Sequence, residues 1–210
     1  MPQIVVSITG GHSTNLHNTV FQIKNALMDA FVDTEVTTLD CDEMTTGGER
    51  TYSDKDYDFA GILNKLKSCG SSSKWEAVVV FGAYALFDAH INEMSQLKVF
   101  LDSDGDRRLI DLIQKTNSKT PDKLSMCIKQ YMEHLRPEMQ KYIEPTRAHA
   151  DLIIPNSNES VGAAIIVDSI VKIVEENKGG ISQRGARLFP RLDFQAERLD
   201  FEKEKFYDLS

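Results

Sequence analysis

Residues 3–28 decide the reading: Gln3-Ile4-Val5-Val6-Ser7-Ile8-Thr9-Gly10-Gly11-His12-Ser13-Thr14-Asn15-Leu16-His17-Asn18-Thr19-Val20-Phe21-Gln22-Ile23-Lys24-Asn25-Ala26-Leu27-Met28. The apolar, β-branched run from Ile4 to Ile8 predicts a buried strand. Thr9-Gly10-Gly11 breaks it. Val20, Phe21, Ile23, Ala26, Leu27 and Phe31 then keep helical spacing and predict an amphipathic helix from about Asn18. A strand that turns through glycines into a helix is the geometry of a phosphate-binding loop, where backbone N–H groups and the positive end of the helix dipole face an anion. A full loop of that kind reads G-x-x-x-x-G-K-[ST]. Here Gly10 and Gly11 are present, but no second glycine follows and no lysine precedes Lys24. The scaffold is there and its chief cation is not.

Working outward, Glu35–Leu39 reads as a second strand ending in the acids Asp40, Asp42 and Glu43, and residues 44–55 read as a polar loop. Phe59–Leu66 has helical spacing, and Gly70-Ser71-Ser72-Ser73 is a break. Ala77-Val78-Val79-Val80-Phe81 is unbroken and apolar, as a central parallel strand buried on both faces should be. A helix near Phe87–Met94, a strand Leu97–Asp102 and a helix Arg107–Thr116 follow, then a polar break at Asn117–Pro121. A long helix Asp122–Tyr142 carries Leu124, Ile128, Tyr131, Leu135 and Met139. A short strand Leu152–Pro155 and a helix Val161–Glu176 close the pattern. Strands alternating with helices predict an α/β fold, a parallel sheet with helices on both faces. Ligands of such sheets sit beyond the carboxyl ends of the strands, which groups Gly10, Asp42, Gly82 and Asp102 around one crevice. The expected organisation is a single domain over residues 1–178, with 179–210 as an extension whose Phe189, Phe194, Phe201 and Phe206 suggest docking.

The 210 residues suit one α/β domain, and 41% hydrophobic with 27% charged residues is ordinary for a globular protein. A net charge of -8 argues against binding a nucleic-acid backbone, which needs a positive field. No apolar run is long enough to span a bilayer, and the first residues lack the pattern of a signal peptide. Three widely spaced cysteines, Cys41, Cys69 and Cys127, point to a reducing compartment, and neither they nor the histidines have metal-ligand spacing. The expectation is a protein of the cytoplasm, and of the nucleus as well, with no metal held by the chain itself.

From Leu97 onward the chain resembles the uridine/cytidine kinase family of P-loop nucleoside kinases. The residues that carry the likeness are Leu97-Lys98-Val99-Phe100-Leu101-Asp102-Ser103-Asp104, Asp106-Arg107-Arg108-Leu109, Lys129-Gln130-Tyr131, Arg136-Pro137, Tyr142-Ile143-Glu144-Pro145-Thr146 and Ala150-Asp151-Leu152-Ile153-Ile154-Pro155. The resemblance implies a P-loop NTPase-like fold and transfer of the γ-phosphoryl group of ATP, with Mg²⁺, to the 5′-hydroxyl of a pyrimidine nucleoside. Such transfer rests on positioning and charge stabilisation.

Taken residue by residue, the likeness puts the catalytic carboxylate on Asp42, a sugar-binding acid on Asp56 and a further nucleoside contact on Gln130. Tyr57-Asp58-Phe59 can instead match a later family segment that carries a base-contacting tyrosine, which would be Tyr57, and the two alignments stay open. Gly10, Gly11, Ser13, Thr14 and His17 fall on the phosphate cradle, and Arg108 on the lid. The family's Gly-Lys-Ser/Thr becomes Asn15-Leu16-His17 or, shifted by one, Leu16-His17-Asn18, and neither restores a lysine. His17 is a weak stand-in, and these loop residues can equally do no more than close a turn and cap a helix. The family's Phe-Glu-Gly becomes Phe81-Gly82-Ala83, which removes an acid near the metal's water shell. Its later lid arginines fall on Asp111, Leu112 and Lys115, and its Gly-Arg on Pro121-Asp122. On the first alignment a base-contacting hairpin is replaced by residues 68–74; with Tyr57 as the base-contacting tyrosine a different family segment is missing. Two readings follow: a uridine/cytidine kinase with strongly impaired activity, and an inactive pseudokinase that acts by binding. The resemblance also implies a homo-oligomer or a partnership with a related kinase.

Overall fold

The structure, a computed structural model, describes residues 3–31, 34–69, 75–118, 120–155 and 159–178. The extension expected from Gly179 and the break expected at Gly70–Ser73 lie outside these residues. The strands are β1 (Gln3–Gly10), β2 (Thr34–Asp40), β3 (Trp75–Phe81), β4 (Leu97–Asp102) and β5 (Leu152–Pro155). All neighbours pair in parallel, in the order β2-β3-β1-β4-β5. The two most apolar runs, β1 and β3, are central, because a strand covered by helices on both faces has no use for alternating polar residues. Ile4, Val6 and Ile8 of β1 face one core with Val20, Ile23 and Leu27, while Val5 joins Val78, Val80, Ile62 and Leu66 in the other. Each such fully buried aliphatic side chain contributes about 1.5–3 kcal/mol.

The helices are α1 (Leu16–Ala30), α2 (Phe59–Ser68), α3 (Ala89–Met94), α4 (Gly105–Lys115), α5 (Pro121–Gln130), the single turn α6 (Arg136–Glu138) and α7 (Glu159–Lys178). α1 begins two residues earlier than its periodicity predicts, because Leu16 already packs in the core. Phe21, expected on its apolar face, is 62% exposed; the buried face runs through Leu16, Val20, Ile23 and Leu27.

The long helix expected over Asp122–Tyr142 is continuous but uneven. Wide π-type turns at Tyr131–Leu135 and Met139–Ile143 flank α6. Pro137 lies between them; it has no N–H to donate, and its ring would press on the carbonyl of Glu133, so wider turns relieve the clash. The result turns Tyr131, Leu135, Glu138, Met139 and Ile143 inward, whereas Ile128 stays 38% exposed.

Candidate active site

The loop after β1 is a tight turn. Thr14 donates both its N–H (3.2 Å) and its hydroxyl (2.8 Å) to the carbonyl of Gly11. Ser13 takes a left-handed conformation, φ 68°. Arg108 from α4 lies across this turn: a Cβ on Gly11 would come within 2.6 Å of its Cδ, and its guanidinium donates to the Ser103 carbonyl. Lys115, at the far end of the same helix, places Nζ 3.2 Å from the carbonyl oxygens of both Ser13 and Thr14. These contacts bring Gly10, Gly11, Ser13, Thr14 and Arg108 together as expected. Lys115 is the surprise, because its ammonium holds loop carbonyls.

Neither residue that can fall on the family's lysine is a lysine, and each has another surrounding. Leu16 is 5% exposed and belongs to the core. His17 is exposed, stands edge-on to Phe81 and approaches Asp40, with Nδ1 3.6 Å from the carboxylate.

The missing acid at position 82 has a steric reason. Gly82 has φ 142°, and a Cβ there would meet Cys41 Cβ at 2.9 Å and Asp42 Oδ1 at 3.0 Å. The turn is fixed by Thr9, whose buried hydroxyl bonds the carbonyls of Gly82 (3.0 Å) and Ala83 (2.8 Å). Asp42 Oδ1 then accepts the N–H of Ala83 at 3.0 Å. Asp42 and a glutamate at 82 would compete for one place.

Beside the turn lies a cavity of about 290 Å³, lined by His12, Asp42, Arg50, Asp56 and Tyr57 with residues 45–48. It unites three of the expected residues. Asp42 opens onto it, yet the protein atoms around the carboxyl raise its pKa by desolvation, with Asp40 adding to the rise and the Ala83 N–H opposing it. Asp56 behaves differently. Its carboxylate accepts the N–H groups of Thr51 (2.9 and 3.0 Å) and Tyr52 (2.8 Å) and the Thr51 hydroxyl (2.6 Å). Desolvation acts to raise its pKa, but these bonds outweigh it and the carboxyl is held below its ordinary value. Asp56 therefore shapes the loop that walls the cavity. Tyr57 packs on Tyr84 with centroids 4.2 Å apart, and burial, then the charges of Asp42 and Glu138, push its phenol up so that it stays protonated.

Gln130 is not part of this group. It is exposed on α5 and lines a separate open hollow of about 700 Å³ with Lys123, Met126 and His134. Tyr52, itself left-handed at φ 55°, stands between the two spaces, stacked on His134 at 4.5 Å with Arg50 over its other side at 4.7 Å. Asp102, grouped with the crevice by its strand end, pairs with Arg147 at 3.1 Å. Of the lid positions, Asp111 pairs with Arg107 on its own helix.

The residues that sequence reasoning missed form one cluster around a buried carboxylate. Glu138 is 2% exposed, and three groups meet it: His12 Nε2 at 2.9 Å, Arg50 Nη2 at 3.4 Å and the Tyr84 hydroxyl at 3.1 Å. A signal did exist. Glu138 lies seven residues after the core residue Tyr131, the spacing of one helix face, so a charge falls where an apolar residue belongs. Among the described residues, no group of three or more His, Cys, Asp or Glu is placed to hold a metal ion.

Residues 43–161 match the model of the Phosphoribulokinase / Uridine kinase family. A Saccharomyces cerevisiae protein described as "Putative uridine kinase DAS2" is 44% identical over 99% of this chain and 96% of its own length. The chain belongs to the phosphoribulokinase/uridine kinase family. A uridine kinase of Clostridium novyi is 29% identical over 70% of this chain and 69% of that protein. In structure the chain is similar to phosphoribulokinase from Rhodobacter spheroides, with a TM-score of 0.55 over 75% of this chain and 73% of that one; at 10% identity the likeness concerns the fold alone. The fold is that of the P-loop kinases, a parallel sheet with helices on both faces.

The raised pKa of Asp42 has a sign that can be checked. Its folded value lies above 3.8, so ionisation costs more in the folded state than in the unfolded chain. The protein is therefore favoured below the unfolded pKa and loses that contribution as pH rises through the folded one. Asp42→Asn is expected to unfold at a higher temperature than wild type at pH 7 and at the same temperature near pH 3.5. Calorimetric melts at the two pH values test this, and a variant that is less stable at pH 7 would show that Asp42 is held chiefly by its bond to Ala83.

Proposed function

We propose that this protein keeps the nucleoside half of the family's site and has lost most of the phosphate half. It binds a pyrimidine nucleoside beside Asp42, and phosphorylation of that nucleoside by ATP is strongly impaired. The observation that carries this reading is that neither residue that can fall on the family's lysine supplies one: Leu16 lies in the core and His17 stands beside Asp40. The turn does not fit a Mg²⁺-bound triphosphate, because the Thr14 N–H and hydroxyl are turned onto Gly11 and Gly82 has no room for an acid. Each lost charge-stabilising donor of this kind typically costs about 10²–10³ in rate.

On the nucleoside side, Asp42 is the group within reach of a hydroxyl at the cavity's inner end and takes its proton, as a general base must. Tyr57, backed by Tyr84, offers a ring against a base. Asp56 fixes the wall through residues 51–53. Arg108 and Lys115 are the cations that remain at the turn.

The same observation favours a second reading, in which nothing is phosphorylated and the protein acts by binding, alone, as an oligomer or beside a related kinase. Met126, Ile128 and Met132, exposed along α5 and the turn after it, are apolar surface available for such assembly. No described helix is long and apolar enough to cross a membrane, in keeping with a cytoplasmic site of action.

The experiment is steady-state formation of nucleoside monophosphate from uridine and Mg²⁺-ATP, with Asp42→Ala as baseline. Slow turnover abolished in Asp42→Ala supports the impaired enzyme. Turnover equal in both proteins supports the binding reading.

A further inference from the structure

We infer that the cavity is built to prefer a pyrimidine nucleoside that already carries a 5′-phosphate over the free nucleoside, with Arg50 and His12 as its anion-facing pair and buried Glu138 as the residue that positions both. This rests on the reading that the cavity takes a nucleoside. Arg50 and His12 reach the cavity from different segments, the loop after β2 and the turn after β1, and both converge on one carboxylate whose side chain has no exposed surface. A carboxylate is buried at high cost unless its partners are fixed, so the cluster is a rigid unit rather than a chance surface pairing.

Neither Arg50 nor His12 is used up by Glu138. Arg50 makes one 3.4 Å contact through Nη2 and has its Cζ 4.7 Å from the Tyr52 ring centroid, which leaves other guanidinium N–H groups for a ligand; its side chain is 48% exposed. His12 meets Glu138 through Nε2 alone, with Nδ1 on the other edge of the ring.

The two acids of the cavity oppose an anion less than their number suggests. Asp56 already accepts three donors from residues 51 and 52. Asp42 Oδ1 already accepts the Ala83 N–H at 3.0 Å, so part of its charge is met by the backbone. With Asp42 beside the nucleoside's 5′ end, a phosphate on that end falls next to His12, which follows directly on Gly11. The phosphate half that the turn has lost is thus replaced by a smaller anion subsite inside the nucleoside cavity, fit for one phosphate group.

The test is calorimetric titration of the full chain with uridine, UMP and inorganic phosphate at one ionic strength, for wild type, Arg50→Gln and Glu138→Gln. UMP is expected to bind wild type at least about 10-fold more tightly than uridine, the scale of one charge-assisted hydrogen bond. The UMP-to-uridine ratio is expected to fall to about one in both variants, including half-exposed Arg50→Gln, where folding is not at stake. A merely structural Glu138 would weaken both ligands and leave the ratio unchanged. Equal binding of UMP and uridine by wild type overturns the inference and leaves the nucleoside reading standing. Inorganic phosphate binding as tightly as UMP also overturns it. No binding of either nucleoside ligand removes the nucleoside reading, and this inference with it.

Discussion

Leu16→Lys is expected to lower the melting temperature by roughly 6–12 °C and to create no kinase activity. Leu16 is 5% exposed and packs in the core cluster with Val20 and Ile23. Its replacement loses the buried isobutyl group and brings an ammonium towards apolar neighbours, which together cost about 3 kcal/mol. For a chain of this size that cost corresponds to roughly the stated shift. The lysine would also arrive at a turn whose Thr14 N–H and hydroxyl are bonded to Gly11, with Lys115 already on the carbonyls of Ser13 and Thr14. Parts of a phosphate site act as a unit, so one restored member does not revive it. His17→Lys is the companion variant. His17 is exposed and near Asp40, so that lysine leaves stability unchanged and also brings no activity. Thermal melts with a uridine phosphorylation assay decide the matter. An unshifted melt together with new turnover in Leu16→Lys would mean that the side chain points into a working cradle.

Gly82→Glu, which writes the family's acid back after β3, is expected to destabilise by about 3 kcal/mol or more. Two causes add. At φ 142° any side chain strains the backbone, by about 1–3 kcal/mol. The new Cβ would sit 2.9 Å from Cys41 Cβ and 3.0 Å from Asp42 Oδ1, so either the turn held by Thr9 or Asp42 must move. Gly82→Ala separates the causes, since it carries the strain and the contact without the charge; most of the loss is expected already there. Denaturant melts measure both. A glutamate at 82 that leaves stability intact would show that the turn re-forms readily and that glycine here is an accident of sequence.

These two positions show what a sequence conveys and what it withholds. The parallel sheet was legible because β1, β3 and β4 are apolar runs at strand length, and the glycine-centred turn because only Gly10-Gly11 interrupts the first of them. The absence of lysine was legible too, but not its consequence. Whether Leu16 faces the turn or the core depends on where α1 starts, and its start is set by packing rather than by a capping side chain. Phe21 was misassigned for a related reason: an exposed aromatic at helical spacing looks like a core residue until the sheet it must face is known.

The role of Asp56 was hidden by proximity. It lines the expected cavity, but its carboxylate is committed to the loop three to five residues before it. Gln130 lies apart because it sits on the exposed face of α5, against a separate hollow. Glu138 drew no notice because a single acid in a polar helix is ordinary; its three partners come from segments 54, 88 and 126 residues away. Pairings so distant in sequence are fixed by the fold alone.

The most direct test remains the rate at which purified protein makes UMP from uridine with saturating Mg²⁺-ATP. Ordinary enzymes turn over at about 1–10³ s⁻¹. With the lysine, the metal-side acid and the later lid arginines gone together, this chain is expected to stay below about 10⁻² s⁻¹, since each such loss costs about 10²–10³. Turnover above about 1 s⁻¹ would contradict the account, and would mean that Arg108, Lys115 or another cation has taken over what the family's lysine does.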